Sequence, residues 1–295
     1  MSALCLGEIL VDCLGLETHP GGAPANAACH IAALGERVDL ASRIGGDARG
    51  DQLTGWLQQR NVGADLLQTD KAHPTGTVLV REGPRYDIAE FAAWDFLDLT
   101  EANLLAAVNA GVMVFGTLAQ RQPASRKTIR ALVNAARSAG VPVICDLNLR
   151  PPFYDGETVL WSLRNCDLLK LNTEELRAVS RILHAEGEST ELFAGLLREF
   201  SIPRGVLTCG EGGAWLLENA EIWHQPAVKP ETFVDAVGAG DAFTAVVAVA
   251  LQNGIPLRQA GSAAAALAAH VVSQAGATPA VPGELAARIN AMLGS

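Results

Sequence analysis

The stretch from Val112 to Asp146, VMVFGTLAQRQPASRKTIRALVNAARSAGVPVICD, decides the expected fold. It begins with the apolar run Val112–Phe115, continues as a helical pattern over Ser125–Ala139 that Gly140 ends, and closes with the run Val141–Asp146. Val and Ile crowd the last run, which is typical of a strand buried on both faces. Two such strands joined by a helix predict a parallel pair with a crossover connection.

The same alternation of short apolar runs and helical patterns continues along the chain. Strands are predicted at Leu4–Leu10, Val38–Ile44, Leu168–Leu171, Val206–Thr208 and Ala214–Leu217, and helices at Ala25–Leu34, Asp51–Gln59, Glu174–Leu183, Asp241–Gln252 and Arg258–Val272. We therefore expect an α/β fold with a doubly wound, mostly parallel sheet and helices on both faces. Sheets of this kind bind ligands at the carboxyl ends of their strands.

One region departs from the alternation. Thr75–Val80 and Tyr86–Phe91 are predicted strands joined by Arg81–Arg85, which indicates a hairpin without a crossover helix. The hairpin is either an edge of the main sheet or a small β flap inserted into it. Since no linker, low-complexity tract or internal repeat interrupts the sequence, a single domain over residues 1–295 is predicted.

Composition and charge exclude several classes of protein. The 295 residues are 49% hydrophobic, which is too high for a disordered chain, and the net charge of −10 argues against a protein that grips nucleic acid. The apolar stretches are shorter than the roughly 20 residues that cross a bilayer, and no signal-peptide pattern opens the chain. The six cysteines lack zinc spacing. We expect a cytoplasmic protein with no nucleic-acid or membrane partner.

The segment Val234–Phe243, VDAVGAGDAF, is the strongest candidate for chemistry. Gly238 and Gly240 at a predicted helix start leave backbone amides accessible, and the helix N-terminus adds partial positive charge, so a small anion fits there. A carboxylate such as Asp241 would repel a phosphate, unless it removes a proton from a hydroxyl that attacks the phosphate. The alternative is that Asp241 caps the helix and the glycines form a tight turn.

Two further segments carry polar groups beside predicted strand ends. In Gly21–Ala28, a glycine pair lets a ligand approach the backbone, and Asn26 offers donors and an acceptor that suit sugar hydroxyls, with Asp12 upstream as a further acceptor. In Asp146–Pro152, Arg150 is a candidate for holding a phosphate or sugar oxygen. The alternative for the first segment is a tight turn with a helix packed on the sheet, and the alternative for the second is that Asp146 and Asn148 satisfy backbone groups of a loop.

Two more segments have both a structural and a functional interpretation. In Lys170–Glu175, the spacing of Asn172 and Glu175 predicts a capping box, and the same pair suits a magnesium site that acts through water. The turn Thr208–Gly213, TCGEGG, either admits nucleotide phosphates or joins a simple hairpin.

Taken in this order, the five segments resemble the ribokinase-like (PfkB) carbohydrate kinase family over about Leu6 to Pro282. Fructokinases are the most similar members, with 2-keto-3-deoxygluconate kinases close behind. The resemblance implies a ribokinase-like α/β domain with a β lid, ATP as phosphoryl donor, Mg²⁺ and K⁺ as ions, and a free sugar, fructose first, as acceptor. It also implies a homodimer.

The resemblance further implies a role for each matching residue. Asp241 would be the catalytic base, and the amides of Gly238, Ala239 and Gly240 would form an anion hole. The sugar would contact Asp12, Gly22, Asn26, Arg150 and Tyr86, and the nucleotide would contact Lys170, Thr208, Gly210 and Gly213. Mg²⁺ would be held through water at Asn172 and Glu175. A monovalent cation would lie beside Asp235 and Val237.

The expected lid, at about residues 12–20 and 75–95, is shorter than in relatives, which weakens the expectation that lids pair between subunits. Three alternatives stay open. A 2-keto-3-deoxygluconate kinase would need positive charge for its carboxylate substrate, from Arg150 and, if they reach, Arg81, Arg85 and Arg121. A ribokinase-type kinase is the second, and a non-catalytic sugar- or nucleotide-binding protein is the third. A phosphosugar acceptor ranks lower, because His19–His30 holds no Lys or Arg.

Overall fold

A computed structural model describes residues 1–15, 17–80 and 86–294, without the side chains of Val80 and Tyr86. The strands are β1 (Ala3–Leu6), β2 (Leu10–Leu14), β3 (Glu17–Gly21), β4 (Val38–Gly45), β5 (Leu67–Asp70), β6 (Gly76–Val80), β7 (Tyr86–Ile88), β8 (Val112–Phe115), β9 (Val143–Asp146), β10 (Leu168–Asn172), β11 (Arg204–Thr208), β12 (Ala214–Glu218) and β13 (Glu221–Gln225). The helices are α1 (Ala23–Ala33), α2 (Ala48–Gln59), α3 (Glu101–Asn109), α4 (Pro123–Ser138), α5 (Gly156–Arg164), α6 (Thr173–Leu183), α7 (Ser189–Glu199), α8 (Ala239–Gln252), α9 (Leu257–Val272) and α10 (Gly283–Leu293).

A nine-stranded sheet in the order β13-β12-β11-β10-β9-β8-β1-β4-β5 forms the centre of the fold. All neighbours from β11 to β5 pair in parallel, and β12 and β13 add an antiparallel edge. One apolar core packs α1, α8 and α9 against one face, and a second packs α4, α5, α6 and α7 against the other. The predicted doubly wound, mostly parallel α/β fold is thereby confirmed.

The predicted hairpin lies in a second, four-stranded sheet with the order β3-β2-β6-β7, and so belongs to a flap rather than to the edge of the main sheet. β2 pairs with β3 and β6 with β7 in antiparallel fashion, whereas β2 and β6 are parallel. The other hairpin of this sheet, β2–β3, lies where the first part of the lid was expected, at about residues 12–20, although no individual strand was predicted over Glu17–Gly21. Its role as a lid on a single domain stays a prediction.

The prediction of one strand over Leu4–Leu10 is wrong. This apolar run is divided between β1 of the main sheet and β2 of the small sheet. The chain leaves the main sheet at Gly7, whose φ of 149° favours glycine and where a Cβ would lie 2.8 Å from Pro24 Cγ. The break therefore carries the chain from the central sheet to the flap.

Two sets of hydrogen bonds, one before β6 and one after β7, anchor the β6–β7 part of the small sheet to the main body. Before β6, Thr75 donates its amide (2.9 Å) and its hydroxyl (2.7 Å) to Asp47, the N-cap residue of α2. After β7, Arg121 donates to both carboxylate oxygens of Asp95, at 2.8 and 2.7 Å, and to the carbonyl of Ala89. These contacts fix where the small sheet leaves and rejoins the main body.

No helix among the described residues is long and apolar enough to cross a membrane.

Candidate active site

The first turn of α8 stands at the centre of the candidate site. Gly238 caps the helix with a φ of 80°, and a Cβ there would lie 2.2 Å from the carbonyl oxygen of Ala277. The backbone needs glycine at this position for both reasons. Residues 238–241 remain partly exposed, and the first amides of a helix have no intrahelical acceptor. The predicted anion hole is therefore sterically accessible, although its occupant stays a prediction.

Asp241 is held from the opposite helix. Asn26 on α1 donates from Nδ2 to Asp241 Oδ2 at 2.8 Å, which joins two residues 215 positions apart in sequence. Burial raises the pKa of Asp241 to about 6, and the nearby charge of Asp146 adds to that rise, whereas Lys170, Asn26 and Arg150 lower it. The carboxylate is thus ionised at neutral pH, yet it is a stronger base than an ordinary aspartate.

A buried ion pair lies directly beneath this turn. Lys170 Nζ contacts the two carboxylate oxygens of Asp146 at 2.9 and 3.0 Å, and each side chain is 8% exposed. Thr244 on α8 donates to Asp146 Oδ2 at 2.7 Å. The placement argues against the predicted nucleotide contact of Lys170, because its ammonium group is enclosed and already paired.

The predicted sugar contacts gather at the junction of the two sheets. Asp12 on β2 is half-buried, and a Cβ on Gly21 would lie 2.6 Å from its Oδ2, so the glycine pair leaves room for this carboxylate. Burial raises the pKa of Asp12, which His19 and Arg150 lower. Gly22 has a φ of 110° and approaches the carbonyl of Glu8.

Arg150 is exposed, and its positive charge lowers the pKa of Glu8, Asp12 and Asp241. It therefore lies among all three acidic groups. The side chain of Tyr86, the remaining predicted sugar contact, lies outside the described residues, as do Arg81 and Arg85.

Glu8 is a site residue that the sequence reasoning missed. It is 2% exposed, and its Oε2 has no hydrogen-bond partner among the described residues. It lines a small cavity together with Asp146 and Asn148. Burial raises the pKa of Glu8 to about 7, against the opposing effect of nearby amides and Arg150. The sequence does contain an indication of this role, since Glu8 is the single charged residue within an otherwise apolar run.

The predicted nucleotide turn joins β11 to β12 as an antiparallel hairpin, through a short 3₁₀ turn at Gly210–Gly212. Thr208 donates its hydroxyl to the carbonyl of Leu171 at 3.4 Å. Gly213 has a φ of 84°, and a Cβ there would lie 2.1 Å from the Gln225 carbonyl oxygen. The turn therefore joins a hairpin, as one of the two interpretations predicts, and the nucleotide contacts of Thr208, Gly210 and Gly213 stay predictions.

Asn172 and Glu175 form the predicted capping box of α6. Asn172 Oδ1 accepts from the amides of Glu174 and Glu175, and Glu175 Oε2 accepts from the Asn172 amide at 2.8 Å. Glu175 Oε1 accepts from the Leu149 amide at 2.9 Å. Within the described residues, no group of three His, Cys, Asp or Glu is arranged to bind a metal. The side-chain oxygens of Asn172 and Glu175 accept hydrogen bonds from backbone amides as the capping interpretation predicts, and the role of the pair at magnesium stays a prediction.

The segment of Asp235 and Val237, expected beside a monovalent cation, contacts the chain after α9. Asp235 accepts from the Val237 amide at 2.7 Å and from the Gly276 amide at 3.3 Å. One carboxylate therefore ties the chain before α8 to the chain after α9. The cation itself stays a prediction.

The chain combines a doubly wound sheet, a small second sheet and a glycine-capped helix with a carboxylate in its first turn. This combination defines the class of ribokinase-fold kinases. Residues 4–283 match the pfkB family of carbohydrate kinases, and the chain belongs to this family.

Individual relatives agree with this assignment. The fructokinase of Salmonella typhimurium is 30% identical over 265 residues, which cover 85% of this chain and 85% of that protein. The bifunctional protein HldE of Actinobacillus pleuropneumoniae is 31% identical over 94% of this chain, which spans 57% of that protein. A fructokinase double mutant of Vibrio cholerae, solved in a form bound to fructose, ADP and potassium ion, superposes with a TM-score of 0.82 at 25% identity, covering 99% of this chain and 98% of that one.

Proposed function

We propose that this protein transfers the γ-phosphoryl group of ATP to a hydroxyl of a free sugar, with fructose as the first candidate. The observation that carries the proposal is the Asp241 carboxylate, which lies in the first turn of the glycine-capped helix α8 and accepts a hydrogen bond from Asn26. Similarity to the Salmonella fructokinase and to the Vibrio fructokinase structure supports fructose.

The arrangement suits in-line phosphoryl transfer. A sugar hydroxyl placed between Asp12, Asn26 and Asp241 would lose its proton to Asp241 as its oxygen attacks the γ-phosphorus. The amides of residues 238–240 would stabilise negative charge on the phosphoryl oxygens. Magnesium bound with ATP would supply further positive charge, and Asn172 and Glu175 would hold it through water. Closure of the small sheet would keep water away from the phosphoryl group.

The charges of the site favour a neutral sugar over a sugar acid. Arg150 already faces three acidic groups, so among the residues that the structure describes it offers a substrate carboxylate little uncompensated positive charge. Arg121 cannot add any, because its side chain is 3% exposed and paired with Asp95. This balance of charges supports the proposal of fructose over 2-keto-3-deoxygluconate, with a ribokinase-type sugar as a further alternative.

A panel assay of ADP release over free sugars, sugar acids and nucleosides tests the proposal. We expect the highest kcat/KM with fructose or another neutral sugar. A sugar acid as the best substrate would contradict the charge argument. Sugar binding without ADP release for any compound would favour the non-catalytic alternative.

The pH dependence offers a second test. The pKa of Asp241 is raised to about 6, so its ionised, basic form is lost as pH falls through that value. At saturating Mg-ATP, we expect kcat/KM for the sugar to fall roughly tenfold for each pH unit below about 6. Rates measured between pH 5 and 8 check this, and an acid limb near 4 would show that Asp241 is not perturbed.

The remaining expectations are carried by fewer observations. The contacts of Asp235 support a site for a monovalent cation such as K⁺ between the two joined segments. The homodimer rests on the family resemblance, and the cytoplasmic location stays the expectation drawn from the sequence.

A further inference from the structure

We propose that Lys170 is a positioning residue of the catalytic centre, whose buried ammonium group supports the first turn of α8 from below and holds Asp241 in its ionised form. The inference rests on the proposed kinase function. It assigns Lys170 a role beneath the anion hole instead of at the nucleotide.

The geometry places Lys170 against the catalytic turn. β9 and β10 pair in parallel with Lys170 directly opposite Asp146, and the two side chains form the buried ion pair. A Cβ on Gly240 would lie 2.8 Å from Lys170 Nζ, so the ammonium group packs against the backbone that precedes Asp241. Gly240 therefore leaves room for this close approach.

Thr244 connects the ion pair to the same helix. Its hydroxyl lies 2.7 Å from Asp146 Oδ2 and 3.1 Å from the carbonyl oxygen of Gly240, and the residue is 1% exposed. The chain of contacts thus runs from β10 through β9 to the first turn of α8. A buried ion pair adds little net stability, but it fixes the geometry of the groups that it joins.

The charges around Asp241 come from several elements. They are Glu8 after β1, Asp146 at the end of β9, Arg150 in the following loop and Lys170 on β10, with the neutral Asn26 on α1. Lys170 lowers the pKa of Asp241, whereas Asp146 raises it. The two members of the ion pair therefore act on the catalytic carboxylate in opposite directions.

This opposition gives a test that a purely structural role would not meet. With Lys170→Met, the acid limb of kcat/KM for the sugar should move to higher pH by at least about half a unit, because the cation is lost. With Asp146→Asn, which can still accept from Thr244, the limb should move to lower pH. All rates are taken at saturating Mg-ATP, so that the ionisation of ATP is common to every variant. The exposed Lys127→Met on α4 is the matched control and should leave the limb in place.

The results separate the possible roles of Lys170. If Lys170→Met leaves the acid limb of kcat/KM in place and raises the KM for ATP, Lys170 contacts the nucleotide and the inference is overturned. Shifts of the acid limb in the same direction in Lys170→Met and Asp146→Asn would also overturn it. If Lys170→Met does not fold, the double variant Asp146→Asn/Lys170→Met is compared with Asp146→Asn alone. An upward shift then supports the inference, and no shift overturns it.

A measurement independent of turnover separates this inference from the proposed function. Carboxyl ¹³C NMR titration of Asp241 in the wild type and the same variants should show the two opposite shifts. If the wild type phosphorylated no sugar, the kinase proposal would fail, and the NMR shifts would still decide whether Lys170 controls Asp241.

Discussion

Asp241→Asn should lower kcat by about 10²–10⁴-fold while leaving the fold and the KM for ATP nearly unchanged. The variant keeps the size of the side chain, and its amide oxygen can still accept from Asn26, but it cannot take a proton from a sugar hydroxyl. Steady-state rates with the best sugar of the panel measure the loss. Because burial disfavours the charge of Asp241, removing it should not lower the free energy of unfolding.

A matched control separates chemistry from helix capping. Asp51 is exposed and lies in the first turn of α2, as Asp241 lies in the first turn of α8. Asp51→Asn should leave kcat unchanged. Full turnover in Asp241→Asn, together with a loss of stability, would restore the interpretation of Asp241 as a helix cap and remove it from catalysis.

Asp95→Asn should destabilise the protein by about 3–5 kcal/mol, because it leaves the guanidinium group of Arg121 buried without its charge partner. Asp95 is fully buried, and Arg121 is also stacked over the rings of Trp94 and Phe153, with its Cζ atom 4.0 and 4.7 Å from their centroids. Arg121 further donates to Ala89, so the small sheet loses one of its anchors. Urea unfolding monitored by circular dichroism measures the effect.

Two comparisons test this reason. The ion pair of Arg130 with Glu157 is more exposed, with the glutamate side chain 60% accessible, so Glu157→Gln should cost less than about 1 kcal/mol. The double variant Asp95→Asn/Arg121→Met should be more stable than Asp95→Asn alone. A single variant that loses less than about 1 kcal/mol would show that water reaches Arg121 and that the pair is not a rigid anchor.

The sequence predicts the features that depend on neighbouring residues. The buried run before Asp146 predicts a central strand, and the glycines before Asp241 predict a helix start, because both follow from local periodicity and backbone freedom. The strand Glu17–Gly21 escapes prediction, since it is mostly polar and exposed and lacks an apolar alternation. It pairs only because β2 lies beside it.

The contacts that tune the site depend on tertiary structure. Lys170 contacts Asp146 because the pairing of β9 with β10 brings together two residues that are 24 positions apart in sequence, and Asn26 contacts Asp241 because two helices pack together. No local sequence pattern predicts either contact. Lys170 therefore looked like a nucleotide ligand from its position before Asn172, whereas the fold encloses it beneath Gly240.

The central claim is that the γ-phosphoryl group of ATP moves to a sugar hydroxyl. Phosphorus NMR of a reaction with ATP, Mg²⁺ and fructose, or the best sugar of the panel, tests it most directly. We expect one equivalent of a sugar monophosphate for each ADP formed. In Asp241→Asn, the signals of the sugar monophosphate and of ADP should both be nearly abolished. ADP that accumulates with inorganic phosphate and no sugar phosphate, or no turnover with any sugar, would contradict it.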